Sequence, residues 1–258
     1  PPTTVRRQRQ MCIRDRNRIG YKNRIFSLAE ETGFCRLSNM NSVLFVDIGL
    51  NKKTTHNKKA SLFGFEFFYK KEKIISNLGE INNSKYKNMK NSLSSTAAHS
   101  SLNIDDRNNI DLSGRRITRI SNIQFGKTKD GNLLDVTHSG YETIFGVHHK
   151  RQIYLSNKKN EIRGRDEILN IGNIGSIPKN AYIRFHLYPG IELIKTRSGS
   201  ILLNHQKGYV WKMSSNNKNI SIENSVMFTP NGPKPCKELS IILNLEKIRA
   251  YKSISCNW

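Results

Sequence analysis

Histidines in two stretches of the sequence have the most distinctive chemistry in this chain. His99 follows four small residues, and His138 lies just before Gly140 and Tyr141. An imidazole titrates near neutral pH, and its neutral ring is a metal ligand. A tyrosine hydroxyl can donate a proton to a leaving oxygen. These stretches predict proton transfer or metal binding, with His99, His138 and Tyr141 as candidate residues.

Each candidate also has a structural interpretation. A histidine at a strand end often bonds to backbone, and a tyrosine often packs in a core. His148 and His149 are adjacent, so on a strand they face opposite sides and at most one of them faces a given site. Arg184 and His186 alternate, so they share a face that either holds a carboxylate or is simply solvated.

The apolar pattern is mostly period two, or short apolar runs between turn residues, which is typical of β-strands. An Asp-Gly pair at 130–131 predicts a hairpin because Asp-Gly accepts positive φ. Only residues 25–31 have helical character. The strands are predicted at 42–47, 62–69, 73–77, 100–104, 117–125, 133–137, 143–149, 152–155, 182–187, 192–196, 200–204, 209–213, 220–228 and 238–243. The sequence therefore predicts an all-β fold, a large antiparallel multi-strand β-sandwich.

The first residues differ from the rest. Residues 1–16 are basic, proline-led and aperiodic, and residues 11–16 resemble a translated sequencing adaptor. We predict a non-native leader over 1–16, a short connector or helix over 17–31 and one β domain over 32–258. The natural protein is then expected to extend further upstream.

The chain is strongly basic. Its 258 residues have a formal net charge of +23 and a pI near 10.1. That charge favours a polyanionic partner: nucleic acid, anionic lipid or acidic polysaccharide. The competing interpretation is compositional drift, because Lys, Asn and Ile are frequent throughout. No apolar run reaches the roughly 18 residues that span a bilayer, and we expect no transmembrane segment and no secretory leader at the start.

The familiar motifs of several enzyme classes are absent from the sequence. The four cysteines lack CxxC spacing, so a zinc ribbon is not expected. There is no nucleotide-binding glycine motif, zinc-protease motif or serine-hydrolase motif. The aromatic residues are not interleaved with Lys and Arg as on a stacking platform, which disfavours specific nucleic-acid binding.

From about residue 32 onward, the order of segments resembles the C-terminal β-sheet region of the heparinase II/III-like polysaccharide lyases. The strongest matches are the small-residue run that ends in His99 and the segment from His138 to Arg151. The other matching runs lie at 32–37, 43–49, 63–67, 75–79, 163–166 and 183–190. The order and spacing of these runs carry the resemblance.

This resemblance implies an upstream α/α toroid followed by a β-sandwich, and β-elimination on uronic-acid-containing polysaccharides. In that chemistry the uronate carboxylate is neutralised, a base removes the C5 proton and a Tyr or His protonates the leaving oxygen. The family's main catalytic Tyr and one His lie in the toroid, which has no counterpart here. We therefore expect this chain alone to be inactive.

The resemblance also implies a zinc site near the cleft, with His99 as one ligand. The other ligand positions differ: Asn77-Leu78-Gly79 stands where an aspartate precedes a glycine, and Lys59 stands at a histidine position with His56 nearby. An ammonium has no lone pair for zinc. In an alternative hypothesis, the ammonium of Lys59 takes the place of the zinc cation.

The leading hypothesis is a truncated lyase of this family acting on an acidic polysaccharide, in the periplasm or cell envelope. The candidate catalytic residues are His99, His138 and Tyr141, and the candidate substrate-binding residues are Lys59, Arg184 and His186. The alternative is a non-catalytic module that binds acidic glycans or the cell envelope. The polysaccharide, the linkage and the oligomeric state are left open.

Overall fold

The computed structural model describes residues 27–29, 32–49, 59–81, 84–172 and 175–258. These residues form seventeen β-strands and a few short helices. The strands are β1 Leu28–Ala29, β2 Phe34–Ser38, β3 Ser42–Asp47, β4 Phe65–Tyr69, β5 Glu72–Ser76, β6 Leu102–Ile104, β7 Ile120–Lys127, β8 Gly131–Tyr141, β9 Val147–Ser156, β10 Ile162–Asn170, β11 Asn180–Leu187, β12 Glu192–Lys195, β13 Ile201–Asn204, β14 Val210–Met213, β15 Ile220–Thr229, β16 Gly232–Asn244 and β17 Ser253–Asn257. The helices are α1 Lys90–Ser94 and α2 Glu142–Phe145, with 3₁₀ helices at Ser84–Met89, Thr96–Ala98 and Ile248–Ala250.

The strands form three sheets. The largest has nine strands in the order β1-β2-β3-β4-β5-β11-β16-β15, with β6 also paired to β11. The second has five strands in the order β17-β10-β9-β8-β7, and the third has the order β12-β13-β14. All the strand pairs are antiparallel. The all-β antiparallel sandwich that the sequence predicts is confirmed.

The core lies between the nine-stranded and five-stranded sheets. In β4, Phe65, Phe67 and Tyr69 are buried while the residues between them are partly exposed, as the two-residue period of a strand requires. Strand β9 alternates in the same way. One continuous apolar cluster contains residues of both sheets, such as Val46 and Ile153. Each large side chain buried here stabilises the fold by roughly 1.5–3 kcal/mol.

The predicted hairpin at residues 130–131 is confirmed, but for a different physical reason. Strand β7 ends at Lys127, and the turn closes with a 2.9 Å bond from the Thr128 N–H to the Gly131 carbonyl. Neither Asp130 nor Gly131 is among the residues with positive φ. A Cβ on Gly131 would lie 2.5 Å from the Tyr154 ring. Glycine is therefore needed for the approach of that ring.

Several local expectations were wrong. Two short strands were predicted at 143–149 and 152–155. Residues 143–145 instead belong to α2, and the rest of this region forms the single strand β9. Leu28–Ala29 is a strand that pairs with Phe34 and Cys35, so this part of 25–31 is not helical. Strands β2, β10 and β17 were not predicted. The predicted leader 1–16 lies outside the described residues.

Two further observations concern the helices and the cysteines. Among the helices that the structure describes, none has the length and apolar character needed to cross a bilayer. The cysteines Cys35, Cys236 and Cys256 are buried as free thiols, and burial raises the pKa of Cys35 to about 12. A thiol so protected is unreactive.

Candidate functional site

Four of the sequence candidates lie in two groups. Arg184 and His186 are on one face of the nine-stranded sheet, and His138 and Tyr141 are in the core on its other side. Along β11, Ile183 and Phe185 face the core while Arg184 and His186 face the other side. We call that other side the outer face. The predicted sharing of a face by Arg184 and His186 agrees with the strand geometry.

Arg184, His186, Glu238, Asn103 and Ser240 form a connected group on the outer face, the Arg184 cluster. Strand register places Ser240 opposite Arg184 and Glu238 opposite His186. The Arg184 guanidinium contacts Glu238 through Nη1 and donates from Nε to Asn103 Oδ1 at 2.8 Å. Ser240 donates to Glu238 at 2.7 Å. The guanidinium is thus held in a fixed orientation, with Nη2 directed to neither of these partners.

His186 connects this cluster to the loop that contains His99. Its Nε2 donates to the Ala97 carbonyl at 2.9 Å, and its Nδ1 lies 3.3 Å from Glu238 Oε2. Burial lowers the pKa of His186, although Glu238 opposes that shift. The Nε2 bond therefore joins the nine-stranded sheet to the His99 loop.

The His99 loop is bonded to the sheet by its neighbour Ser100. The Ser100 hydroxyl donates to the Ser76 carbonyl at 2.6 Å and accepts the His186 N–H at 2.9 Å. The Ser100 N–H donates to Asn77 Oδ1 at 2.9 Å. A Cβ on Gly64 would lie 3.2 Å from His99 Cβ, so a glycine makes room for the histidine. His99 is only 3% exposed.

The residues at the implied zinc position do not fit a zinc site. The Asn77 amide oxygen already accepts the Ser100 N–H. The Lys59 ammonium forms an ion pair with Glu80. Within the described part of the chain, no three His, Cys, Asp or Glu side chains come together as a metal-binding group. His56 lies outside the described residues, and no step below uses a metal.

The second group lies in the core and is centred on Asp166, which faces Arg151 across β10 and β9. Arg151 donates to Oδ1 from Nε at 2.7 Å and to Oδ2 from Nη2 at 3.0 Å. Oδ1 also lies 2.6 Å from His149 Nε2, and Oδ2 accepts the Trp258 indole N–H at 2.7 Å. His138 Nε2 lies 3.2 Å from His149 Nδ1. We call these five residues the Asp166 network.

Hydrogen-bond directions in the Asp166 network form one consistent chain. The Gly140 N–H donates to His138 Nδ1 at 3.0 Å, which leaves the proton of a neutral His138 on Nε2. That N–H donates to His149 Nδ1, and His149 Nε2–H donates to Asp166. Two neutral imidazoles and one carboxylate therefore satisfy each other, and Arg151 balances the charge.

Titration shifts agree with this assignment. Burial alone would raise the pKa of the Asp166 carboxyl, but the Arg151 charge and the His149 hydrogen bond hold it well below its ordinary value. Burial lowers the pKa of His149, and the nearby Asp166 does not overcome that effect. The network is thus an ion pair with neutral histidines.

His138 and Tyr141, two predicted catalytic residues, are fully buried. The Tyr141 hydroxyl donates to the Leu102 carbonyl at 3.0 Å, and its ring centroid lies 5.8 Å from that of His138. Burial raises the pKa of the Tyr141 hydroxyl. Since neither side chain is exposed to solvent, a polysaccharide cannot reach them in this structure. We infer that both stabilise the fold.

Sequence reasoning missed Glu238, Asp166 and Trp258. Each meets its partner only through strand pairing or chain folding, so no local spacing reveals it. Asp166 is 15 residues from Arg151, and Glu238 and Trp258 are farther from their partners. One local signal was available for Asp166. On a strand, Arg163 and Arg165 share one face, so Asp166 must lie on the opposite face.

Comparisons with known proteins agree with the fold. A family model described as heparinase II/III-like, C-terminal, matches residues 22–257. The heparan sulfate lyase HepC from Pedobacter heparinus superposes with a TM-score of 0.70 at 14% identity, over 92% of this chain and 36% of that one. A HepC mutant gives 0.64 at 14% identity, over 88% and 35%. No curated protein matches the sequence.

A third structure, the heparinase III BT4657 gene product with methylated lysines, has a TM-score of 0.64 at 14% identity, over 92% of this chain and 35% of that one. The chain therefore spans about a third of the length of these lyases. Since the family model covers almost all of it, the chain belongs to the heparinase II/III-like family and corresponds to its C-terminal domain. The resemblance stated from the sequence is confirmed.

Proposed function

We propose that this chain is the sandwich domain of a polysaccharide lyase that cleaves uronic-acid-containing glycans by β-elimination. The observation that carries the proposal is the family match over residues 22–257. Two structural neighbours are named as heparan sulfate lyases. The net charge of +23 suits an acidic polysaccharide.

The proposed contribution of this domain is a cationic wall at the substrate. The Arg184 side chain is 17% exposed, and its Nε and Nη1 are held by Asn103 and Glu238. A guanidinium has five N–H donors, so Nη2 can still donate to a uronate carboxylate. Withdrawing negative charge from that carboxylate acidifies the C5 proton. We assign Arg184 this role, and we assign His186 the positioning of the His99 loop through its bond to the Ala97 carbonyl.

Proton transfer needs groups from outside this domain. Tyr141 and His138 are enclosed in the core, and His99 is almost fully buried. A base and an acid must contact the sugar directly. We therefore propose that the chain alone does not turn over substrate, and that the upstream part of the parent protein supplies these groups. His99 is proposed to shape the loop that covers the Arg184 cluster.

An activity assay on the parent open reading frame, with its upstream region restored, tests the proposal. The protein is incubated with heparin, heparan sulfate, alginate and polyglucuronate, and the absorbance of unsaturated uronate is followed. We expect a rise with at least one glycan that disappears in His99→Ala. Arg119→Gln, an exposed arginine outside the Arg184 cluster, serves as control and retains the rate. No rise with a folded protein would contradict the proposal.

Zinc content is a separate test. The proposal contains no metal step, since Asn77 and Lys59 are engaged with Ser100 and Glu80. We expect plasma emission on the purified parent protein to give well below one equivalent of zinc. A full equivalent that His99→Ala removes would contradict this and identify His99 as a ligand.

A non-catalytic module for acidic glycans is the second candidate function, favoured by the burial of Tyr141 and His138. It predicts binding of heparin without any gain in absorbance, even for the parent protein. We propose the periplasm or cell envelope as the location, on the strength of the family membership. Nucleic-acid binding would instead show steep salt dependence without preference for glycans.

A further inference from the structure

A deep cleft lies where residues of all three sheets meet, on the core side of the nine-stranded sheet. Its volume is about 1010 Å³, at the upper end of ligand pockets in proteins. Phe65 and Phe185 line it, whereas their neighbours Glu66, Arg184 and His186 do not. Because alternate residues of a strand face opposite sides, this cleft is separate from the Arg184 cluster.

The inner end of the cleft is aromatic and fixed in place. Trp258 stacks on Phe65 with ring centroids 5.6 Å apart and an interplanar angle of 2°, and it meets Phe185 edge-on at 5.0 Å. Its indole N–H is held by Asp166 at 2.7 Å. On the other side, Trp258 lies flat on Gly164, where a Cβ would come within 2.0 Å of the ring. This end is therefore preformed.

Two partly exposed aromatic rings form the walls. Trp211 of β14 packs edge-on against Phe67 at 4.9 Å and against Tyr69 at 5.2 Å. Tyr154 of β9 is anchored by its hydroxyl, which donates to the Asp130 carbonyl at 2.7 Å. Both rings remain partly exposed, which leaves aromatic surface for a ligand. An aromatic face combined with a polar tip suits the mixed apolar and polar surface of a sugar ring.

The rim of the cleft is positively charged. Its ionisable lining residues include Arg163 and Arg165, and the only acidic side chain among the described lining residues is Glu161. Glu161 is engaged by Arg163 in two 3.0 Å hydrogen bonds. Arg165 is 44% exposed and lies 3.5 Å from Glu167, too far for a strong bond. Arg165 can therefore meet an anion.

We propose that this cleft binds a short stretch of anionic polysaccharide, with Trp211 and Tyr154 against sugar faces and Arg165 on a carboxylate or sulfate group. The choice of an acidic glycan as ligand rests on the proposed function; the existence of a sugar site does not. Because the cleft and the Arg184 cluster are on opposite faces, the cleft holds the polymer at a second point while another segment is processed.

Tryptophan fluorescence provides a direct test. The chain has two tryptophans, Trp211 and Trp258, and both line the cleft. The 258-residue chain, which has its own continuous core, is titrated with a heparin-derived hexasaccharide, and maltohexaose is the neutral comparison. We expect a saturable change in emission with the heparin hexasaccharide and a much smaller one with maltohexaose.

Charge variants locate the site without disturbing the core. Arg165→Gln is expected to raise Kd about tenfold. The control, Arg197→Gln, removes the same charge at an exposed position outside the cleft and is expected to change Kd less than about twofold. Equal losses in the two variants, or calorimetric binding with unchanged tryptophan emission, would overturn the proposal.

These outcomes are separable from those of the lyase assay. Hexasaccharide binding in the cleft together with an inactive parent protein supports the cleft and refutes the lyase function. An active parent protein whose sandwich domain binds no hexasaccharide refutes the cleft alone.

Discussion

The Asp166 network and the Arg184 cluster combine the same side-chain types, an arginine, a carboxylate and histidine, yet they differ in how completely their charges are satisfied. In the Asp166 network both charged side chains are fully buried, and the carboxylate meets Arg151, His149 and Trp258. In the Arg184 cluster the guanidinium remains 17% exposed, and its partner Glu238 lies at 9%.

This difference separates a structural device from a candidate site. A buried ion pair has no remaining donor for a ligand, and its removal leaves an uncompensated charge. A partly exposed guanidinium held by two partners is oriented and still has N–H groups to donate. Residue type alone therefore does not identify function here; accessibility and the number of engaged donors do.

The largest expected effect comes from breaking the Asp166 network. Asp166→Asn removes the charge that balances Arg151 in the core, where both side chains have no exposed area. We expect a loss of about 3–5 kcal/mol in the free energy of unfolding, measured by urea denaturation.

The matched control is the exposed pair of Glu161 and Arg163. Glu161→Gln removes a carboxylate with a similar bidentate geometry in solvent, and we expect a change below about 1 kcal/mol. If Asp166→Asn were as mild as this control, the network would not be a structural element.

Packing around the network gives the next largest effect. In Gly164→Ala a Cβ would lie 2.0 Å from the Trp258 ring, so the indole must leave Asp166. We expect destabilisation of about 1–3 kcal/mol in thermal or urea unfolding. Gly126→Ala is the control, because nothing lies within 4 Å of the new Cβ in that strand. Equal stability of the two variants would argue against a fixed Trp258.

Acidification should weaken the fold through its buried histidines. The pKa values of His149 and His186 are lowered from the ordinary 6.5, so below that pH the unfolded chain binds protons that the folded chain does not. The free energy of unfolding then falls by up to about 1.4 kcal/mol per pH unit for each histidine. Asp166, whose pKa is also lowered, stabilises the fold above 3.8 and loses this effect below it.

Urea unfolding at several pH values from about pH 7 to about pH 5 measures this slope. High salt in every sample screens the repulsion among the many surface cations, so that the buried groups dominate the change. A free energy of unfolding that stays flat or rises over this range would mean that these histidines bind protons in the folded state.

Tyr141→Phe is expected to have the smallest effect. It removes one buried hydroxyl that donates to the Leu102 carbonyl. We expect a loss of about 1 kcal/mol in urea unfolding. A loss far below this would show that the hydroxyl is not a structural donor. Phe228→Leu, in the separate small apolar cluster, is the control for a change in packing alone.

Much of the fold could be predicted because strands leave a local signature. The alternation in β3, β4 and β11 is readable from a few residues, and the sandwich follows from many such strands. Strand β10 was missed because it contains charged residues and Gly164, and its Asp166 is accommodated by partners outside the strand, such as Arg151 on β9. The sequence does not display that pairing.

The candidate site was predicted only in part. Alternation placed Arg184 and His186 on one face, but Glu238, which holds the Arg184 guanidinium, becomes a neighbour of both only through the register of β11 and β16. His138 and Tyr141 looked reactive because their types and spacing suit catalysis. Their burial depends on the packing of β8, within the five-stranded sheet, against the nine-stranded sheet, which a local pattern cannot reveal.

The most direct test of the account compares Arg184→Gln with Tyr141→Phe in the parent protein, with its upstream region restored. Release of unsaturated uronate from the glycan that the wild type cleaves is measured at matched amounts of folded protein. The account predicts a rate at least about a hundredfold lower in Arg184→Gln and within about twofold of wild type in Tyr141→Phe. A full rate in Arg184→Gln with a lost rate in Tyr141→Phe would contradict it.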